Sequence, residues 1–184
     1  MKESISMMNI FAVADHRAKL YNISKPVVVI TTNGMTKKDG NAVMGRGIAA
    51  YAKVNLSCAD INLLREVTGF TNVDENTAFD TVLGRCLKLS GNQAYYMGLW
   101  HDRVTNTTLH VITMPTKNDW RDDSSISLIR KSATEMMALA DAYTLDGVFL
   151  PAPGCSNGKL KWQNVQPVIA GILDDRFTCV HPQM

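Results

Sequence analysis

The sequence lacks the signatures of several common chemistries. Its four cysteines, Cys58, Cys86, Cys155 and Cys179, are far apart and form no C-x-x-C. That spacing excludes a disulfide framework and a thiolate zinc site, and it fits a reducing compartment. The four histidines, His16, His101, His110 and His181, show neither H-x-x-x-H nor H-E-x-x-H spacing, so no metal centre is expected. No G-x-S-x-G elbow is present, and with it goes the usual hydrolase serine. Charge of neither sign prevails. Nineteen Lys and Arg against 17 Asp and Glu leave +2, too little for a strongly electropositive nucleic-acid binder, though a local basic patch stays open. The apolar runs are far shorter than a membrane span, and no apolar h-region follows the first residues; a cytoplasmic protein with no membrane partner is expected. Aromatics make up only 7% of the chain. Trp100, Trp120 and Trp162 are too scattered to suggest a base-stacking platform, so core or loop anchoring is their expected role.

What is present is ordinary globular material: 184 residues, 46% apolar and 20% charged. A chain of this size hides roughly 70% of its unfolded surface and needs no staple. Neither repeat nor linker interrupts it, so a single domain over 1–184 is expected. After Pro26 comes Val27-Val28-Val29-Ile30-Thr31-Thr32, which predicts a strand buried on both faces. The stretch before it, through Tyr21, is ambiguous. A helical pattern runs over 48–67 and ends at Gly69, extended stretches cover 82–89 and 94–100, and a strand covers 109–114. Ile126, Ile129, Ala133, Met136, Met137, Ala140 and Tyr143 form one stripe at helical spacing. A strand over 147–150, a helix over 162–173 and a closing strand over 177–180 complete the pattern. Strands alternating with helices, plus a mid-chain hairpin, predict an α/β fold with a mixed sheet between helical layers.

In such sheets ligands bind beyond the carboxyl ends of the strands. Three loops there carry candidate chemistry. The first holds Gly45-Arg46-Gly47-Ile48-Ala49-Ala50, a formal G-x-G-x-x-A. About a dozen residues separate it from the strand, and Glu66 falls in a predicted helix; both facts argue against a dinucleotide fingerprint. What survives is two glycines opening a helix whose free N–H groups suit an anion, against the plainer reading of a flexible helix cap. The third loop, Pro151-Ala152-Pro153-Gly154-Cys155-Ser156-Asn157-Gly158-Lys159-Leu160, is small-residue rich and reads either as an amide cradle for pyrophosphate or as a strand-to-helix connection. The middle loop holds Lys117 after Pro115-Thr116. That lysine is either a solvated cation or a partly desolvated amine facing a cleft.

Taken together the three loops resemble those of a macrodomain. Asn33-Gly34 followed by Val43-Met44-Gly45-Arg46-Gly47-Ile48-Ala49 is similar to the family's first ligand loop, and Leu150 to Trp162 is similar to its phosphate loop, L-P-x-x-G-C-G-x-G-x-L-x-W. Pro115-Thr116-Lys117-Asn118-Asp119-Trp120-Arg121 with Ser124 resembles the P-T-K-x-x-W-[KR]-x-x-S of one branch. That branch contains the DarG antitoxins, which remove ADP-ribose from thymidine in DNA, and is related to the human terminal ADP-ribose protein glycohydrolase. The resemblance implies a three-layer α/β/α macrodomain with a mixed central sheet. It implies that Asn9 and Ile10 of Met8-Asn9-Ile10-Phe11 meet adenine, with Met8 in place of the usual glycine. Asn33 would bond the distal ribose and take part in catalysis. Met44, Gly45, Arg46, Gly47 and Ile48 would line ribose and phosphates, and Gly154, Cys155, Ser156, Asn157 and Gly158 would hold the pyrophosphate. Lys117 would be the catalytic lysine. The chain departs from the human-type enzyme in having Gly158 where that enzyme carries an aspartate, and Ser156 replaces the second glycine of G-C-G.

The implied function is hydrolysis that removes ADP-ribose from a macromolecule, most of all nucleic acid, with help from the lysine and with no cofactor or metal. The implied partners are ADP-ribose or an ADP-ribosylated macromolecule, including single-stranded DNA, and the expected state is a monomer. The alternatives are a non-catalytic module that binds ADP-ribose or a related nucleotide, and an ADP-ribose 1″-phosphate phosphatase. A carboxylate at position 154 is expected to repel the diphosphate and leave the fold intact.

Overall fold

The β-branched run after Pro26 lies at the centre of the sheet. Val27, Val28, Val29 and Ile30 are all fully buried; Val28 and Ile30 point into one apolar cluster, Val27 and Val29 into the other. A strand with no polar face can sit only between two helical layers. The computed structural model describes residues 1–6 and 9–181. In chain order its elements are β1 (Lys2–Ile5), α1 (Ile10–Tyr21), β2 (Pro26–Asn33), α2 (Gly47–Asn55), β3 (Leu56–Cys58), α3 (Ile61–Thr68), α4 (Phe79–Ser90), β4 (Tyr95–Asp102), β5 (Thr107–Lys117), α5 (Ile126–Ala142), β6 (Gly147–Pro151), α6 (Trp162–Ala170) and β7 (Phe177–His181).

The strands form one sheet in the order β1-β7-β6-β2-β5-β4-β3. The pairs from β1 through β5 are parallel, while the β3–β4 and β4–β5 pairs are antiparallel. The sheet is therefore mixed. Phe11 of α1, Ala52 of α2 and Phe79 and Leu83 of α4 pack on one face with Trp100 of β4. Ile129, Ala133 and Met136 of α5 and Val165 and Ile169 of α6 cover the other. This is the three-layer α/β/α arrangement expected. No helix among the described residues is long and apolar enough to cross a membrane.

Two elements differ from the sequence reading, and one ambiguous stretch is resolved. The segment 82–89 is not extended but belongs to α4. Its buried positions Phe79, Val82, Leu83, Cys86 and Leu87 recur at three and four residues, the helical period, whereas a half-buried strand would alternate. The pattern predicted as one helix over 48–67 is split. α2 ends at Asn55, Leu56 to Cys58 pair with β4, and Asp60 starts α3 by accepting from the Leu63 amide at 3.0 Å. That acid is an N-cap signal, and Gly69 ends α3 in the left-handed conformation (φ 72°). The ambiguous opening is α1, capped by Asn9 at one end and by Asn22 (φ 52°) at the other.

Candidate functional site

Parallel strands β2, β5 and β6 all end at the same edge of the sheet, and the loops that follow them enclose a cavity of about 600 Å³, a size suited to a nucleotide-like ligand. Thr31 to Asn33 and Thr116–Lys117 supply the strand ends, Gly45 to Ala49 the start of α2, and Trp120 to Ser124 and Gly154 to Lys159 the remaining wall.

The first loop is fastened from below. Asn33 donates from Nδ2 to the Val43 carbonyl at 2.8 Å, and its Oδ1 accepts from the Met35 amide at 3.0 Å. One amide hydrogen and one lone pair of this side chain stay available for a ligand. Beneath the loop, Gly84 of α4 admits the loop backbone: a Cβ there would lie 2.1 Å from the Gly40 carbonyl oxygen and 2.8 Å from the Ala42 nitrogen. The loop then turns through Gly47 (φ 57°) into α2, whose N-cap residue, Arg46, makes no side-chain cap. The first-turn amides of α2 therefore point at the cavity with the positive end of the helix dipole behind them.

The third loop meets the first. A Cβ on Gly47 would lie 3.3 Å from Asn157 Nδ2. Among the described residues, the backbone amides of Ser156, Asn157 and Gly158 donate to no chain acceptor. Three adjacent free donors in a glycine-bearing loop make an anion-binding concavity. Two glycines permit it. Gly154 has φ 75°, and a Cβ there would meet Ser124 Cβ, Ile129 Cδ1 and Leu160 Cδ1 at 2.9 to 3.0 Å. Any side chain at 154 thus strains the fold itself, so the expectation of an intact fold with a carboxylate there is corrected. Gly158 is tighter still: its Cβ would fall 2.1 Å from Ser124 Oγ and 2.5 Å from the Gly154 carbonyl oxygen. An aspartate at this position has no room. Ser124 itself is only 8% exposed. Its amide donates to the Gly158 carbonyl at 3.0 Å, while its hydroxyl oxygen has no partner among the described residues.

Lys117 closes strand β5. It is the register partner of Asn33 across the β2–β5 ladder, just past an irregularity at Thr32 and Asn33. Its Nζ donates to the Asp122 carbonyl at 2.6 Å and to the Asn157 carbonyl at 3.2 Å. The lysine is half-buried and its amine is directed, so it is not a freely solvated cation.

Of the residues singled out in the sequence, Asn33, Gly45, Arg46, Gly47, Ile48, Lys117, Gly154, Ser156, Asn157 and Gly158 line the cavity. Four stand outside its wall. Met44 is buried in the core. Cys155 packs toward the core on the α5–α6 side of the sheet, its thiol directed at the Pro153 carbonyl, and burial pushes that thiol up to about 11. Asn9 spends its side chain on the Phe11 amide and the Tyr51 hydroxyl, and Ile10 packs against the core. Met8, expected beside them, lies outside the described residues. The three tryptophans differ in their settings. Trp100 is buried and Trp162 lies against His181, but Trp120 stands 53% exposed on the cavity wall. Position three residues after Lys117 was the signal for it.

This sheet order and these loops define the macrodomain fold. The structure is similar over its whole length to the macrodomain of Mycobacterium tuberculosis DarG, with a TM-score of 0.61 and 18% identity over 99% of this chain and 98% of that one. Thermosipho africanus DarTG in complex with ADP-ribose gives 0.61 and 16% identity, covering 99% of this chain and 42% of that one. A poly(ADP-ribose) glycohydrolase from Deinococcus radiodurans in complex with ADP-ribose gives 0.61 and 11%, covering 99% and 77%. The sequence itself matches no family model and no curated protein.

Proposed function

We propose that this macrodomain is an ADP-ribosyl hydrolase that removes ADP-ribose from nucleic acid. The observation that carries the reading is the convergence of two sets of free amides, Ser156 to Gly158 and the first turn of α2, on one cavity that also holds Lys117. Two similar structures are complexes with ADP-ribose, which supports the same ligand here. The diphosphate takes the amides. The distal ribose then lies between Asn33 and Lys117, which the β2–β5 register makes neighbours.

Chemistry follows from that seating. The Lys117 amine, once deprotonated and released from the Asp122 and Asn157 carbonyls, attacks the anomeric carbon of the distal ribose. An N–C bond forms as the bond to the leaving group breaks, and the leaving group takes up the proton that the newly formed secondary ammonium gives up. Water then displaces the amine, giving free ADP-ribose and restoring Lys117. Arg46 on the cavity wall offers positive charge to a nucleic-acid backbone, whereas Arg121 and Lys159 there are paired with Asp119 and Asp123. Binding of the macromolecule should weaken as salt rises.

Calorimetric titration with ADP-ribose, followed by incubation with ADP-ribosylated single-stranded DNA and ADP-ribosylated protein side by side, tests this function. A flat titration at high micromolar ligand ends it; release from protein alone removes the nucleic-acid substrate. One observation favours a second reading, a module that binds ADP-ribose without turnover. The acids of the wall, Asp122 and Asp123, are exposed, and Asp123 is engaged by Lys159 at 2.8 Å, so no buried carboxylate stands ready as general acid. Tight binding with no release from either substrate assigns that reading.

A further inference from the structure

We propose that Asn92 is the positioning residue of the Lys117 amine: from outside the cavity, its side-chain amide pins the end of β5 in the irregular register that sets Lys117 beside Asn33. The inference rests on the hydrolase reading above, in which that amine attacks the ribose, and names a residue that acts through it.

The register of β2 on β5 runs from Val27 opposite His110 to Thr32 opposite Pro115 and then skips Thr116, so that Asn33 meets Lys117. Side chains alternate along a strand. Without the skip Asn33 would face Thr116, and Lys117 would project from the opposite side of the sheet. An extra residue of this kind re-aims a side chain at the expense of regular pairing. β4 gives no support there, because it starts at Tyr95, the register partner of Thr113. The carbonyls past that point are taken up one by one from other elements. Ser132 Oγ of α5 donates to that of Pro115 at 2.8 Å, the Ser125 amide to that of Thr116 at 2.9 Å, and the Gly34 amide to that of Asn118 at 3.0 Å. The Lys117 carbonyl is held by Asn92, whose Nδ2 donates to it at 3.1 Å and to Asn118 Oδ1 at 2.9 Å.

Asn92 is not part of the cavity wall. It comes from the turn between α4 and β4, and Lys131 of α5 donates to its carbonyl at 3.2 Å. Its side chain also packs on the first loop, where a Cβ on Gly34 would lie 2.8 Å from Asn92 Cγ. One side chain thus reaches the backbone of Lys117 and that of the residue after Asn33, the pair between which the distal ribose is placed. Its orientation is set, since Nδ2 faces a carbonyl that can only accept. Asn92 Oδ1 is left buried and without a partner among the described residues. An unpaired buried oxygen weakens a fold. Leucine, of nearly the same shape, would avoid it. Stability therefore does not call for the amide; what the amide supplies is two donors at the end of β5.

The test compares the wild-type protein with Asn92→Asp and Asn92→Leu, which keep the shape and remove the donors, in release of ADP-ribose from single-stranded DNA and from protein. Acylation of Lys117 by an N-hydroxysuccinimide ester is followed in parallel by mass spectrometry, with Lys19 of α1 as internal reference. Both variants should lower kcat about tenfold to a hundredfold, the scale of a misplaced reacting group, while KM and the calorimetric affinity for ADP-ribose stay within about twofold. In a Lys117→Ala background the same substitutions should not change the residual rate. In the single variants Lys117 should acylate faster than in the wild type, as its hold on the Asp122 and Asn157 carbonyls loosens. Asn92→Leu exchanges one unpaired oxygen, Asn92 Oδ1, for another, the Lys117 carbonyl. Its thermal midpoint should stay close to that of the wild type, and it decides the case if the carboxylate variant does not fold. A merely structural role would raise KM and slow the Lys117→Ala background as well; that pattern, or a wild-type kcat and acylation rate, overturns the proposal. If the wild type releases ADP-ribose from neither substrate while Asn92 still governs acylation of Lys117, the hydrolase reading fails and the positioning stands. Release that ignores both substitutions keeps the hydrolase reading and removes Asn92 from it.

Discussion

The Nζ of Lys117 lies 3.2 Å from the carbonyl oxygen of Asn157 and 2.6 Å from that of Asp122. One amine thus joins the loop after β5 to the loop after β6, and both carbonyls belong to residues of the cavity wall. This side chain fastens the wall, and the proposed mechanism gives it a second role, attack on the ribose. The two roles separate by substitution. Lys117→Ala should slow release of ADP-ribose roughly a hundredfold or more, the scale of lost catalytic groups. Lys117→Arg keeps donors for the two carbonyls but offers no deprotonated amine at accessible pH. It should retain ADP-ribose affinity within a few fold by calorimetry and yet be as slow as the alanine variant in single-turnover assays. Substantial activity in Lys117→Arg would show that the charge, not the lone pair, is what the reaction uses.

Gly158 should tolerate no side chain. In Gly158→Ala the new Cβ meets both Ser124 Oγ at 2.1 Å and the Gly154 carbonyl oxygen at 2.5 Å. Overpacking of this kind costs about 1–3 kcal/mol, so thermal denaturation should show a lowered midpoint together with lost ADP-ribose binding. Ser124→Gly removes only one of the two obstacles. The double variant should therefore remain impaired, because the other obstacle is backbone. Full rescue would mean that the Gly154 carbonyl can move away freely and that the third loop is softer than its contacts indicate. For the same reason Gly158→Asp should fail to install an acid.

Much of the cavity wall is legible in the sequence, and the reason is local. Glycines that start a helix or let amides face a ligand announce themselves by type and order, as Gly45, Gly47, Gly154 and Gly158 do. So does a strand with no polar face, as Val27 to Ile30 make. Less legible was whatever depends on tertiary contacts. The split of α2 from α3 follows from β3 pairing with β4, which no local propensity encodes. The period of α4 was present in Phe79, Val82, Leu83, Cys86 and Leu87, but its branched and aliphatic residues mimic a strand when read by composition alone. Asn9, expected at adenine, caps α1 instead, and its side chain donates to Tyr51, which in turn donates to Asp102; no sequence pattern links those three. Trp120 was one of three scattered tryptophans until the loop set it on the rim.

Gly84 lies within α4, where glycine is usually a weakness. Replacing an exposed helical glycine by alanine stabilises by about 1 kcal/mol. At Gly84 the sign should reverse, since the Cβ would enter the loop backbone at Gly40 O, 2.1 Å away, and approach Ala42 N at 2.8 Å. Gly84→Ala should lower the thermal midpoint. It should also weaken ADP-ribose binding from a distance, because the displaced loop carries Val43, whose carbonyl holds the Asn33 amide. A variant with raised stability and unchanged affinity would mean that helix and loop separate without strain.

The Arg121 guanidinium beside Asp119 holds that carboxyl down at about 2, through its side-chain hydrogen bonds and the Arg121 backbone amide. The sign is that of a depressed acid. The pairing is complete above the ordinary carboxylate pKa near 4 and is lost only as pH falls through the lower folded value. The pair is exposed, so its weight in global stability is small and screened by salt; its consequence is local, in the setting of Arg121 beside the indole of Trp120. Carbon-detected NMR of the Asp119 carboxyl should show no transition above about pH 3 in the wild type and a transition moved up toward the ordinary carboxylate range in Arg121→Gln, which loses the guanidinium but keeps the backbone donor. Across neutral pH the geometry of the Trp120 rim should accordingly stay constant, and Trp120 emission should be flat from pH 5 to about 8. The same transition in both proteins would mean that the guanidinium does not hold the carboxylate in solution, and that Arg121 is free to swing from the ring.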